Sequence, residues 1–137
     1  MNKTRNNKLM GLANKALIET RAIFKNDNLD IDAAYNGQIA SLGVTIAMSG
    51  IRPALAIYFQ DKSSTKVNRR AVLTVIADMI KRDDEFTKGN ISDAKSLFEY
   101  ALKTNDLNDL NDLNALKEEV EQCSIALKQV VRTYNLV

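Results

Sequence analysis

The chain has no histidine and one cysteine, and those two counts bound its chemistry before any fold is considered. Without an imidazole it lacks the commonest general base and the commonest nitrogen ligand for metals. Cys123 has no histidine to activate it as a nucleophile, and it falls on an apolar seam where a small buried hydrophobe is the expected role. A single thiol forms no internal disulfide and points to the reducing cytoplasm. Neither GxxxxGK[ST] nor GxGxxG occurs, so no phosphate-cradling loop is expected. Asp27, Asp30 and Asp32 lack the glycine and the closing glutamate of a calcium loop. Asp83-Asp84-Glu85 reads as a solvated turn rather than a cation site, and Asp106, Asp109 and Asp112 do not converge if helical. The residues therefore describe a protein with no catalytic site, no cofactor and no metal.

Cations are the positive signal. Arg52, Lys62, Lys66, Arg69 and Arg70 gather around one loop and the start of a helix, with Ser63, Ser64, Thr65 and Asn68 beside them as hydrogen-bond donors. Such a group suits phosphate oxygens, whose contacts position a protein on nucleic acid without reading its sequence. The net charge of +2 conceals an asymmetry. Lys3, Arg5, Lys8, Lys15, Arg21 and Lys25 face one acid, Glu19, in the first 25 residues, whereas residues 83–121 carry four lysines against eleven acids. A basic face opposite an acidic one is expected if the fold keeps these segments apart.

The elements that must position these side chains read as helices. At 137 residues, with one proline and five glycines, the chain suits a single all-α domain over 1–137, a bundle of five to six helices. Leu9, Ala13, Ala16, Leu17, Thr20 and Phe24 predict a first helix from Thr4 to Asn26. Asp30 is the expected N-cap of a second, whose stripe is Ile31, Tyr35, Ile39, Leu42 and Ile46, with Ala33, Ala34, Ala40 and Val44 widening the buried surface; small residues in such number suggest close helix approach. Ser49-Gly50 ends it, and Pro53 suits the first turn of a short third helix reaching Phe59. Val67–Arg82 forms the next, with Val72, Val75, Ile76, Met79 and Ile80 inward. Arg69 and Arg70 sit in its first turn, at the unfavourable end of the dipole. Ser92 is the expected cap of a fifth helix that buries Leu97, Phe98, Ala101 and Leu102. Three Asn-Asp-Leu triplets follow; leucine every third residue drifts around an α-helix, so 103–113 reads as a connector. The seam Leu113, Leu116, Val120, Cys123, Leu127, Val130 and Tyr134 predicts the last helix. No apolar run approaches the roughly 18 residues that span a bilayer, and the basic N-terminus has no secretory h-region, so no membrane contact is expected.

Residues 30–82 resemble the small helical subunit of the Cmr complex, the type III-B CRISPR RNA-guided effector. Tyr35, Gly50 fifteen residues later, Ile51, the run Ala54-Leu55-Ala56-Ile57-Tyr58-Phe59 and Lys62 fit that family's order and spacing. Ala126-Leu127, Arg132 and Tyr134 resemble its C-terminal helix. The chain departs from the pattern at Gly43, where the family often has proline, at Ala47, where it often has a cation, and in lacking tryptophan. The resemblance implies a non-catalytic subunit lying along the groove that holds guide RNA and target RNA. Its other partners would be the backbone subunits and stacked copies of itself. The alternative is a helical protein–protein adaptor with no nucleic-acid role.

Overall fold

The structure, a computed structural model, describes residues 2–60, 67–104 and 110–137. Lys62, Lys66 and most of the triplet repeat lie outside those residues. Six helices are present among them: α1 (Lys3–Thr20), α2 (Ala34–Ser49), α3 (Ile51–Phe59), α4 (Arg69–Arg82), α5 (Ala94–Lys103) and α6 (Leu110–Val131). They form an all-α bundle. Its axis is α4, which buries nine of its fourteen residues on all sides, as a helix surrounded by others must. Helices α1, α3, α5 and α6 pack against it, and α2 lies across α3 and α6.

Several boundaries differ from the periodicity. The first helix ends at Thr20, not Asn26, because Arg21 turns left-handed (φ 50°) and returns its N–H to the Leu17 carbonyl. Phe24 consequently leaves the helical face and pairs with Ile31 through an isolated antiparallel bridge, while Ile31 also bridges Leu136 of the tail. Asp30 does not cap α2: its carboxylate accepts from the side-chain amides of Asn26 and Asn135, both at 2.9 Å. Asp32 takes that part, accepting from the Ala34 N–H at 2.9 Å, and Ile31 sits before the helix, fully buried.

Gly50 joins α2 to α3 with no intervening loop, at φ 88° and ψ 168°, a conformation that a side chain would strain. Pro53 occupies the first turn of α3 as expected. Asp93, rather than Ser92, caps α5, because its side chain and that of Ser96 exchange hydrogen bonds with each other's backbone in a capping box. Leu97 and Ala101 are buried, Phe98 is half-buried against Phe59, and Leu102 is exposed. The connector is shorter than 103–113: Lys103 closes α5, and the final triplet lies in the first turn of α6. Leu116, Val120, Cys123, Leu127 and Val130 form the buried seam, but Tyr134 lies past the helix and packs on Phe24 at 5.3 Å.

Candidate nucleic-acid surface and a buried charge network

Three of the five expected phosphate-binding cations fall on described residues, and the fold does not treat them alike. Arg52, in the first turn of α3, points at the end of α5, donating from Nε to the Ala101 carbonyl at 2.7 Å and from Nη2 to the Thr104 carbonyl. Those carbonyls lack partners within their own helix, and a cation there also meets the negative end of the dipole. Arg52 thus caps α5.

Arg69 and Arg70 stay together at the start of α4. The exposed Arg70 donates from Nε to the Phe59 carbonyl at 2.6 Å and stacks over the Phe59 ring at 4.4 Å. Arg69, half-buried, lies 5.5 Å from the Tyr58 ring centroid. The arginines at the positive end of α4 therefore lie at the negative end of α3, which offsets the dipole cost noted above. Asn68 is the N-cap of α4: its side-chain oxygen accepts from the Arg70 N–H at 2.9 Å, and the residue is exposed. Its own N–H donates to the Tyr35 hydroxyl at 3.1 Å. Tyr35 of α2 thus positions the turn that presents both arginines. Tyr58 is buried core, as expected, donating its hydroxyl to the Gln38 carbonyl at 2.7 Å; burial pushes its phenol up to about 12 against the opposing charge of Arg69.

The strongest electrostatic feature lies elsewhere and overturns the expected separation of charge. Arg5 of α1 forks onto Asp83, with Nη1–Oδ1 at 3.0 Å and Nη2–Oδ2 at 2.8 Å. Its Nη2 also reaches Glu119 of α6 at 2.5 Å, Nη1 reaches Glu85 at 3.1 Å, and Nε donates to Gln122 at 3.2 Å. The Asp83 side chain is wholly buried and Glu119 nearly so. Lys8, one turn on, pairs with Asp84 and with Glu85 at 2.8 Å. Two cations of the basic N-terminal segment are therefore taken up by acids of the central one inside the bundle. Sequence reasoning missed this because Arg5 meets its partners across 78 and 114 residues.

Asp83, Asp84 and Glu85 do bring carboxylate oxygens within 4.8 Å of one another. The ammonium of Lys8 and the guanidinium of Arg5 hold those oxygens, so cations of this chain occupy the place a metal would take. Burial raises Asp83, but hydrogen bonds from Arg5, Glu119 and the Glu85 N–H outweigh it and hold the carboxyl well below the usual range. Glu119 goes the other way: burial and the neighbouring Asp83 push it up to about 8 despite Arg5. One proton is thereby shared between two buried carboxyls. Cys123, 3.8 Å from Glu119, is completely buried, and burial pushes its thiol well up, away from reactivity.

A cavity of about 410 Å³ beside the Phe24–Ile31 bridge is lined by Ala22, Ile23, Phe24, Lys25, Asp32 and Tyr35. Asp32 and Tyr35 there already serve the helix starts, so the cavity gathers no catalytic set. No helix among the described residues is long and apolar enough to cross a membrane. Comparisons with known protein families, with curated proteins and with solved structures found no match.

Proposed function

We propose that this chain is a non-catalytic small subunit of a type III-B CRISPR RNA-targeting effector complex, touching RNA backbone at the corner where α3 meets α4. One observation carries the reading. Arg70 is held at that corner by the ring and the carbonyl of Phe59, and Arg69, its neighbour in the first turn of α4, lies over the Tyr58 ring. Lys62 and Lys66 stand in sequence between the same two helices. Stacked guanidinium groups are pre-organised and suit planar, bidentate contact with phosphate. One residue on which the family resemblance rests serves this corner: the Tyr35 hydroxyl accepts from the N–H of Asn68, the α4 cap. Guide and target RNA are the partners proposed for the corner, with other subunits of the complex on the remaining surface.

Arg52 is removed from the proposed contact set, and Arg5 and Lys8 are spent internally. That loss of cations favours the second reading, a helical adaptor that ignores RNA. Salt-dependent binding separates the two. The chain should bind single-stranded RNA weakly, with log K falling linearly in log salt. Arg69→Glu with Arg70→Glu should lower the magnitude of that slope by about 1.4, two contacts at about 0.7 each. Binding indifferent to salt and to both substitutions, with other proteins of the same operon still co-purifying, would leave the adaptor.

A further inference from the structure

Helix α2 has sixteen residues and none is charged. Tyr35, Ile39, Leu42 and Ile46 face the core, and the opposite face carries Gly37, Ser41, Val44 and Met48, all exposed. Their steps of four, three and four make a straight seam of the kind by which helices pack on one another. Nothing among the described residues covers it: Met48 is 82% exposed, Val44 is 58% exposed, and a Cβ added at Gly37 would meet no atom within 4 Å. Ala33, Ala34 and Val44, expected to widen the buried surface, are exposed instead, because the bundle packs on one side of α2 alone.

This seam is complementary to itself. In an antiparallel pair about a two-fold axis between Leu42 and Gly43, Met48 of one copy lies over Gly37 of the other, and Val44 lies over Ser41. Each larger side chain meets a smaller one, and the match repeats on both sides of the axis, as an isologous contact requires. Having no charge, the face does not repel its own copy and offers a charged partner nothing to pair with. We propose that the outer face of α2 docks on the same face of a second copy, forming an antiparallel two-fold dimer. Such a pairing closes at two copies and does not propagate as stacking does. It uses neither Arg69 nor Arg70 and stands whether or not the chain binds RNA. A helix this length is roughly 24 Å long, so the contact is smaller than the roughly 800 Å² per partner of a standard interface, and the dimer is weak.

Sedimentation of the full chain from about 10 µM to about 1 mM, the range of a weak complex, should show a monomer–dimer equilibrium. Val44→Lys, at an exposed position that leaves helicity unchanged, should weaken association roughly tenfold or more by placing charge in the seam. Register is read by disulfide trapping. Gly37→Cys mixed with Met48→Cys should form a mixed dimer, whereas neither variant alone should, because the two positions lie roughly 16 Å apart along the axis. Cys123 is buried and stays out of the reaction. The proposal is overturned by a monomer at every concentration, which would assign the face to another protein. Association unaffected by Val44→Lys, or Met48→Cys trapping itself as readily as the mixture, would overturn it too.

Discussion

Glu119 shows how little one residue's type says about its state. As a glutamate in an acidic stretch it reads as solvated charge, yet it is buried beside Asp83 and carries a proton at neutral pH. The sign of its effect on stability follows. In the unfolded chain Glu119 loses its proton near the ordinary value of about 4.3, and in the folded protein near 8. Its stabilising contribution is therefore complete below the unfolded value and drains away as pH rises towards 8. Asp83 runs oppositely, stabilising above its ordinary range and losing that contribution as pH falls. Glu119→Gln copies the protonated form, keeping an acceptor for Arg5 and a donor for Asp83. Urea midpoints of the parent should fall between about pH 5 and pH 8 while those of the variant stay level; parallel profiles would show that Glu119 is not the group responsible.

At the scale of elements, helix existence was legible and helix ends only in part: α2, α3 and α4 close at Ser49, Phe59 and Arg82 as expected, and other ends do not fall where expected. The three- and four-residue spacing of Leu9, Ala13, Ala16 and Leu17, or of Val72, Val75, Ile76 and Met79, follows from the helical repeat itself. An end depends on which of several short polar side chains reaches an orphaned N–H or carbonyl. Asp93 wins over Ser92 through its reciprocal bonds with Ser96, and Asp32 displaces Asp30, which the tail recruits. Arg52 is the extreme case, terminating α5 from another helix 49 residues away. Arg52→Met, which keeps much of the packing but leaves the carbonyls without a donor, should cost roughly 1.5–3 kcal/mol in chemical denaturation. RNA binding corrected for the folded fraction should not change; a selective loss of binding would return Arg52 to the phosphate-contacting set.

The whole molecule is closed by its far ends. Arg5 of α1 ties Asp83 and Glu119 together, and the tail returns to the α1–α2 connection, where Ile31 and Ala33 donate to the Asn135 and Val137 carbonyls at 3.0 Å and Val137 donates to Ile31 at 2.9 Å. Removing residues 135–137 should therefore lower stability by roughly 2–4 kcal/mol, three backbone hydrogen bonds at about 0.5–1.5 each, as read by thermal or urea unfolding. A truncated chain as stable as the parent would show the bridges to be ornamental.

Composition and local spacing determined the all-α class, most of the core and the buried place of Cys123, because hydrophobic periodicity and the residues a chain lacks are properties of neighbours in sequence. The expected corner at Arg69 and Arg70 was also legible, both lying in one helical turn. Which cations remain for a ligand was decided only in three dimensions. Charges distant in sequence cancel when helices bring them together, as Arg5 and Lys8 do with the acids of 83–85, and no local pattern records such a meeting. The same holds for the outward face of α2: its small residues are plain in the sequence, but only the assembled bundle shows that Gly37, Ser41, Val44 and Met48 lie exposed.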